Sequence, residues 1–140
     1  MWFIFALLSA VTAALVAIFG KLGLSKIDTT LATTIRSIIM AAFLVLISLS
    51  LGKFKDFTPS NFSGKQWSYI VLAGIAGALS WLFYFSALRT GLTSRVAAID
   101  RLSVVFVLAL SVLILGEHLT WKSGLGAAMI ASGAILMTLK

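Results

Sequence analysis

Asp100 and Arg101 stand side by side inside RVAAIDRLSVVFVLALSVLILG, residues 95–116, a stretch otherwise suited to hydrocarbon. An acid or a base in such surroundings has a narrow set of uses: binding a proton, binding an ionic substrate, or pairing with an opposite charge on another helix. Neighbouring residues diverge by about 100° on a helix, so Asp100 and Arg101 are poor mates for each other. Asp100 shares its face with Ser103, Val107 and Ser111, which draws a polar line along an oily helix. Arg101 points about a quarter turn away and is placed to reach toward headgroups. Arg36, in LATTIRSIIM, is the better mate for Asp100, because both groups sit at a similar shallow depth on the same membrane side. Such a pair either ties two helices together or lines a cavity for a substrate or a proton. Both readings stay open at the level of sequence.

A second group lies in SWLFYFSALR. Trp81, Tyr84, Phe85 and Leu88 fall on one helical face. Trp81 lies roughly 12 Å in from Arg89, deeper than an interfacial aromatic belt needs. A wall around an organic substrate is the preferred reading, with the belt as its alternative. The candidate pathway residues are therefore Arg36, Trp81, Tyr84, Asp100, Arg101 and Ser103. Glu117 and His118 close the same apolar run as Asp100. His118 is the sole histidine and there is no cysteine, so neither a metal site nor thiol chemistry is expected. No serine or threonine has a histidine base near it in sequence, and there is no phosphate loop, so an enzyme and a bound cofactor are not expected.

The elements that carry these residues follow from composition. Of 140 residues, 61% are hydrophobic and 11% charged, against about 25% charged in a soluble domain. The mean hydropathy is +1.12. Four acids and eleven bases cannot dress a water-facing surface. The expectation is an all-α integral membrane protein with five transmembrane helices, at about 2–20, 31–51, 67–88, 96–115 and 121–139, forming one domain over residues 1–140. Each run approaches the ~20 residues that cross a hydrocarbon core about 30 Å thick. The runs are continuous rather than alternating, which favours helices over a barrel. Starting span four after Arg101 would leave about 14 residues, roughly 21 Å and too short, so its helix is expected to begin near Ser94 with Asp100 about two turns inside. The first run has no basic leader and is expected to remain as a span rather than a cleaved signal.

The net charge of +7 is spread over the connections, so anionic headgroups rather than nucleic acid are the expected partner of the bases. With the N-terminus outside, the cytoplasmic side collects Lys21, Lys26, Arg36, Arg89, Arg95, Arg101 and Lys140. The other side collects Lys53, Lys55, Lys65 and Lys122. The excess favours N-out, C-in, and its small size is compatible with insertion both ways. Small residues recur at four-residue spacing: Gly124, Ala128 and Ser132; Ala6, Ala10 and Ala14; Gly74 with Ala78. Such stripes let helices approach closely in lipid.

ALRTGLTSRVAAIDRLSVVFVLALSVLILGEHLTWKSGLGAAMIASGAILM resembles the C-terminal part of an EamA domain, the repeat of the drug/metabolite transporter superfamily. The AL-R-x-G exit from span three, the LGE closing span four and the Gly/Ala-rich span five carry the resemblance, and LATTIRSIIM is similar to the start of the family's second span. The resemblance implies one EamA-type repeat, where most relatives have two of opposite orientation. It implies a multi-pass protein of the bacterial inner membrane that exports small organic metabolites or drugs. It also implies a partner half: a homodimer, antiparallel or not, or a paralogous chain. The shorter multidrug exporters of the superfamily use an acid in their first span. Span one has none here, which leaves Asp100 as the intramembrane acid for any proton coupling. The alternative is a small membrane subunit that scaffolds or modulates a partner, or a lipid-translocating half that needs a second chain.

Overall fold

The computed structural model describes residues 1–24, 26–55 and 57–139. Ser25, Asp56 and Lys140 lie outside the described residues, and with Lys140 goes one of the bases assigned above to the cytoplasmic side. The described chain is helical, with no strand. Helix α1 covers Trp2–Gly23, α2 Thr29–Ser50, α3 Gly64–Thr90, α4 Thr93–Asp100, α5 Ser103–Leu110 and α6 Trp121–Leu136. A single 3-10 turn, Pro59–Asn61, lies between α2 and α3, and a π-helical turn, Ser111–Leu115, continues α5.

Local chemistry sets the helix ends. The Asp28 carboxylate accepts the Leu31 N–H at 3.0 Å and caps α2. Ser63 and Gln66 cap α3 reciprocally: the Ser63 N–H donates to Gln66 Oε1 at 2.8 Å, and the Gln66 N–H donates to Ser63 Oγ at 3.3 Å. Thr120 Oγ1 accepts the Ser123 N–H at 3.2 Å at the head of α6. At the end of the π turn, Gly116 takes φ +68°, and both it and Glu117 donate backbone N–H groups to the Ser111 carbonyl. A left-handed residue of this kind ends the helix, and glycine adopts it without a Cβ clash. This is the physical content of the LGE motif.

Four helical runs are long and apolar enough to cross a membrane: Trp2–Gly23, Thr29–Ser50, Gly64–Thr90 and the composite Thr93–Leu115. Their large apolar side chains are mostly exposed, including Phe3, Ile38, Phe83 and Leu113. Patches of that extent are untenable in water and ordinary against lipid tails. At 16 residues, α6 spans about 24 Å and is shorter than the 121–139 run expected. Beyond it, Thr138 and Leu139 make tighter i→i−3 bonds to the Ile135 and Leu136 carbonyls.

The chain divides into two compact units, one of Met1–Lys21 with the chain from Thr90 onward, the other of Leu22–Arg89. In the first, α4 and α5 pack against α6. The buried and half-buried residues of α6 are Gly124, Gly126, Ala127, Ala131, Gly133 and Ala134. That row is offset from the expected stripe, whose Ala128 and Ser132 are exposed. Lys21, in the last turn of α1, donates to the Gly91 carbonyl at 2.9 Å. The second unit contains α2, α3 and their connection. There Phe54, Phe57, Phe62 and Trp67 stack in sequence with centroids 6.0, 5.9 and 5.5 Å apart, and Trp67 Nε1 donates to the Pro59 carbonyl at 3.3 Å.

Candidate functional site

Arg36 lies seven residues into α2, about 10 Å from its first residue and deeper than a start at Leu31 implied. The Asp28 cap causes this by beginning the helix two residues earlier. Thr33 and Ser37 flank it. Their hydroxyls donate to the Thr29 and Thr33 carbonyls at 2.7 and 2.8 Å, bonds that close on α2 itself. Across from α2, α3 presents the aromatic face. The Arg36 Cζ sits 3.8 Å from the Trp81 ring centroid and 5.2 Å from that of Phe85. Trp81, Tyr84 and Phe85 form a triangle with centroid separations of 5.7, 5.4 and 6.0 Å. Phe85 and Leu88 are buried, Leu88 completely. The spacing of 81, 84, 85 and 88 puts all four on one side of α3, and the resulting close packing fixes the Trp81 plane under the guanidinium.

Stacking of this sort attracts a cation to the electron-rich ring face and contributes about 0.5–2 kcal/mol, more where water is absent. It does nothing for the N–H groups in the guanidinium plane. Arg36 Nη1 is buried and has no hydrogen-bond partner among the described residues. Buried polar groups are nearly always bonded, so an idle donor here is informative.

Asp100, Arg101 and Ser103 belong to the other unit. Span four was expected to be one helix carrying Asp100 two turns inside it. Instead α4 stops at Asp100, Arg101 and Leu102 form a turn, and Ser103 starts α5. The backbone narrows to i→i−3 bonds: Arg101 N–H to Ala98 at 3.2 Å, Leu102 N–H to Ile99 at 2.9 Å, Val104 N–H to Arg101 at 3.1 Å. Asp100, Arg101 and Ser103 are all exposed, whereas Ser111 is buried and donates to the Leu108 carbonyl at 3.1 Å. The tighter turn advances the chain by more than 100° per residue, which keeps Asp100 and Ser103 on one face, i and i+3 eclipsing, and turns Ser111 away from the expected polar line.

The fold thus brings Arg36, Trp81 and Tyr84 into one cluster, and Asp100, Arg101 and Ser103 into one helix junction. The expected Arg36–Asp100 pair joins residues of different units, and each group is taken in its own surroundings. Two features went unread in the sequence. The stacking of Arg36 on Trp81 and Phe85 needed the mutual placement of α2 and α3, for which periodicity holds no signal. The break after Asp100 has neither proline nor glycine to announce it; the adjacent acid and base are its only trace.

The profile of the EamA-like transporter family matches residues 1–139. A protein of Sinorhizobium sp. described as an uncharacterized transporter in the cobO 3′ region is 42% identical over 136 residues, covering 97% of this chain and 95% of that protein. No solved structure matches.

Proposed function

Because the chain belongs to the EamA-like transporter family, and is therefore a multi-pass membrane transporter rather than an enzyme, we propose that it is a secondary exporter of small organic metabolites or drugs. Its residues 1–140 act as one membrane domain of five spans, N-terminus outside, in the inner membrane of a bacterium. Two halves enclose the pathway, as a homodimer or with a paralogous chain.

The observation that carries the reading is the Arg36 cluster. A guanidinium inside an apolar span, stacked on Trp81 and with Nη1 idle, suits transient contact with a solute better than permanent structure. Trp81 and Tyr84 supply apolar area beside it. Asp100, at a helix junction inside the fourth span, is the acid that carries coupling, with Arg101 and Ser103 beside it at the turn.

Purified protein in vesicles, loaded in turn with a panel of radiolabelled metabolites, should release at least one faster than protein-free vesicles. Arg36→Gln should abolish that release. Release unchanged in Arg36→Gln would remove this cluster from the pathway. Reporters fused to the C-terminus test orientation, and labelling on both membrane sides is what an antiparallel homodimer requires.

A further inference from the structure

A guanidinium has five N–H donors in one plane and two flat faces. The Arg36 Cζ lies over the Trp81 ring, 3.8 Å from its centroid, and 5.2 Å from the Phe85 centroid. A cation–π contact supplies no acceptor to the N–H groups of the guanidinium. Nη1 is buried and meets no acceptor among the described residues. The hydroxyls of Thr33 and Ser37 are directed at carbonyls of their own helix. Asp28 stands at the head of α2, where its carboxylate receives the Leu31 N–H. A buried donor without an acceptor is costly, and a cation in a span more so. Retention of both at one residue suits an acceptor that arrives from outside the chain.

We propose that Arg36 and Trp81 form a binding site for a small organic carboxylate with an apolar, planar body. The carboxylate oxygens take N–H groups of Arg36, and the body lies against the half-buried rings of Trp81 and Tyr84. This rests on the transport reading above and narrows its solute to an anion. A carboxylate fits because it accepts only, is planar, and offers two oxygens to the guanidinium fork. An organic cation would meet Arg36 with like charge. A bare inorganic anion would leave Trp81 and Tyr84 uncovered. A lipid phosphate offers the same kind of oxygen, and the test separates it from a soluble carboxylate.

The full chain, purified in a maltoside detergent, is dialysed to equilibrium against radiolabelled phenylacetate, phenylacetamide or phenethylammonium, with empty micelles as reference. Phenylacetate should bind roughly tenfold or more tightly than either congener, the difference that charge-assisted hydrogen bonds supply. Arg36→Gln should erase the preference, and Arg36→Lys, which keeps the charge but not the fork, should retain part of it. Equal binding of the three probes to the unaltered chain overturns the proposal without recourse to any variant. So does an anion preference that survives in Arg36→Gln. Repeating the measurement in phosphatidylglycerol bilayers settles the lipid alternative: a retained preference supports the soluble carboxylate, and loss of phenylacetate binding assigns Arg36 to lipid phosphate and overturns it. Vesicle flux distinguishes the two readings. Binding of phenylacetate with no flux of any solute defeats transport and leaves this site standing. Flux that favours cations or neutral solutes defeats the site and leaves transport standing.

Discussion

Arg36 and Asp100 are both ionisable groups in apolar runs, and the molecule accommodates them in opposite ways. At Arg36 the helix is unbroken from Thr29 to Ser50, and the neighbouring helix brings aromatic faces to the charge. At Asp100 no such shelter is built. The helix itself stops, turns through Arg101 and Leu102, and resumes at Ser103, with acid and base left exposed. The backbone keeps its helical i→i−4 ladder through α2 and tightens to i→i−3 bonds at the turn. The contrast teaches that a charge in a span is housed either by shaping its surroundings or by shaping its own backbone. The first yields a rigid, oriented group; the second yields a polar junction where a helix can bend without proline.

Arg36→Met tests that contrast most severely. It should reduce solute flux in vesicles by roughly tenfold or more, since the charge-assisted bonds to an anion vanish. Its thermal unfolding temperature in detergent should not fall, because relief of an unsatisfied buried donor, about 1–3 kcal/mol, offsets the lost stacking of about 0.5–2 kcal/mol. A sharp drop in unfolding temperature would make Arg36 a structural residue. Next in size is Gly116→Ala, which forces a Cβ into the left-handed region at φ +68° and should destabilise the first unit by about 1–2 kcal/mol, visible in the same melt. Asp28→Ala removes the cap of the helix that carries Arg36 and should cost about 1 kcal/mol. Native exchange of the Leu31 amide should rise with it, and an unaltered amide would show the cap to be idle. Smallest in stability is Asp100→Asn, expected within about 0.5 kcal/mol of the parent because its site is exposed. Its effect should instead fall on coupling: flux driven by a proton gradient should drop to the ungradiented rate. If a fully active, gradient-sensitive Asp100→Asn protein is obtained, the junction is structural and Arg36 alone carries the chemistry.

Much of the fold was legible beforehand for a simple reason. Hydrocarbon imposes long apolar runs and full backbone pairing, and both leave plain marks on composition. The runs beginning at Trp2, Leu31 and Trp67 coincide with α1, α2 and α3 to within a few residues. Their ends were less legible, because capping extends a helix past its apolar stretch: Asp28 starts α2 two residues early, and Ser63 with Gln66 starts α3 three residues early. The aromatic face of α3 was readable from the spacing of 81, 84, 85 and 88. What it faces was not. In α6 the recurrence of small residues was visible, yet the row that packs, Gly124 to Ala134, differs from the row with four-residue spacing, since Gly and Ala occur all around that helix.

Sequence by itself determined the medium, the helical class, the family and the short set of groups able to touch a solute, because each depends on side-chain type and spacing along one chain. Tertiary structure alone decided that Trp81 and Phe85, on one helix, cover the guanidinium of another, and that the fourth span breaks where Asp100 stands. Both are contests among contacts distant in sequence or among hydrogen-bond patterns close in energy, and no periodicity along the chain records who wins them.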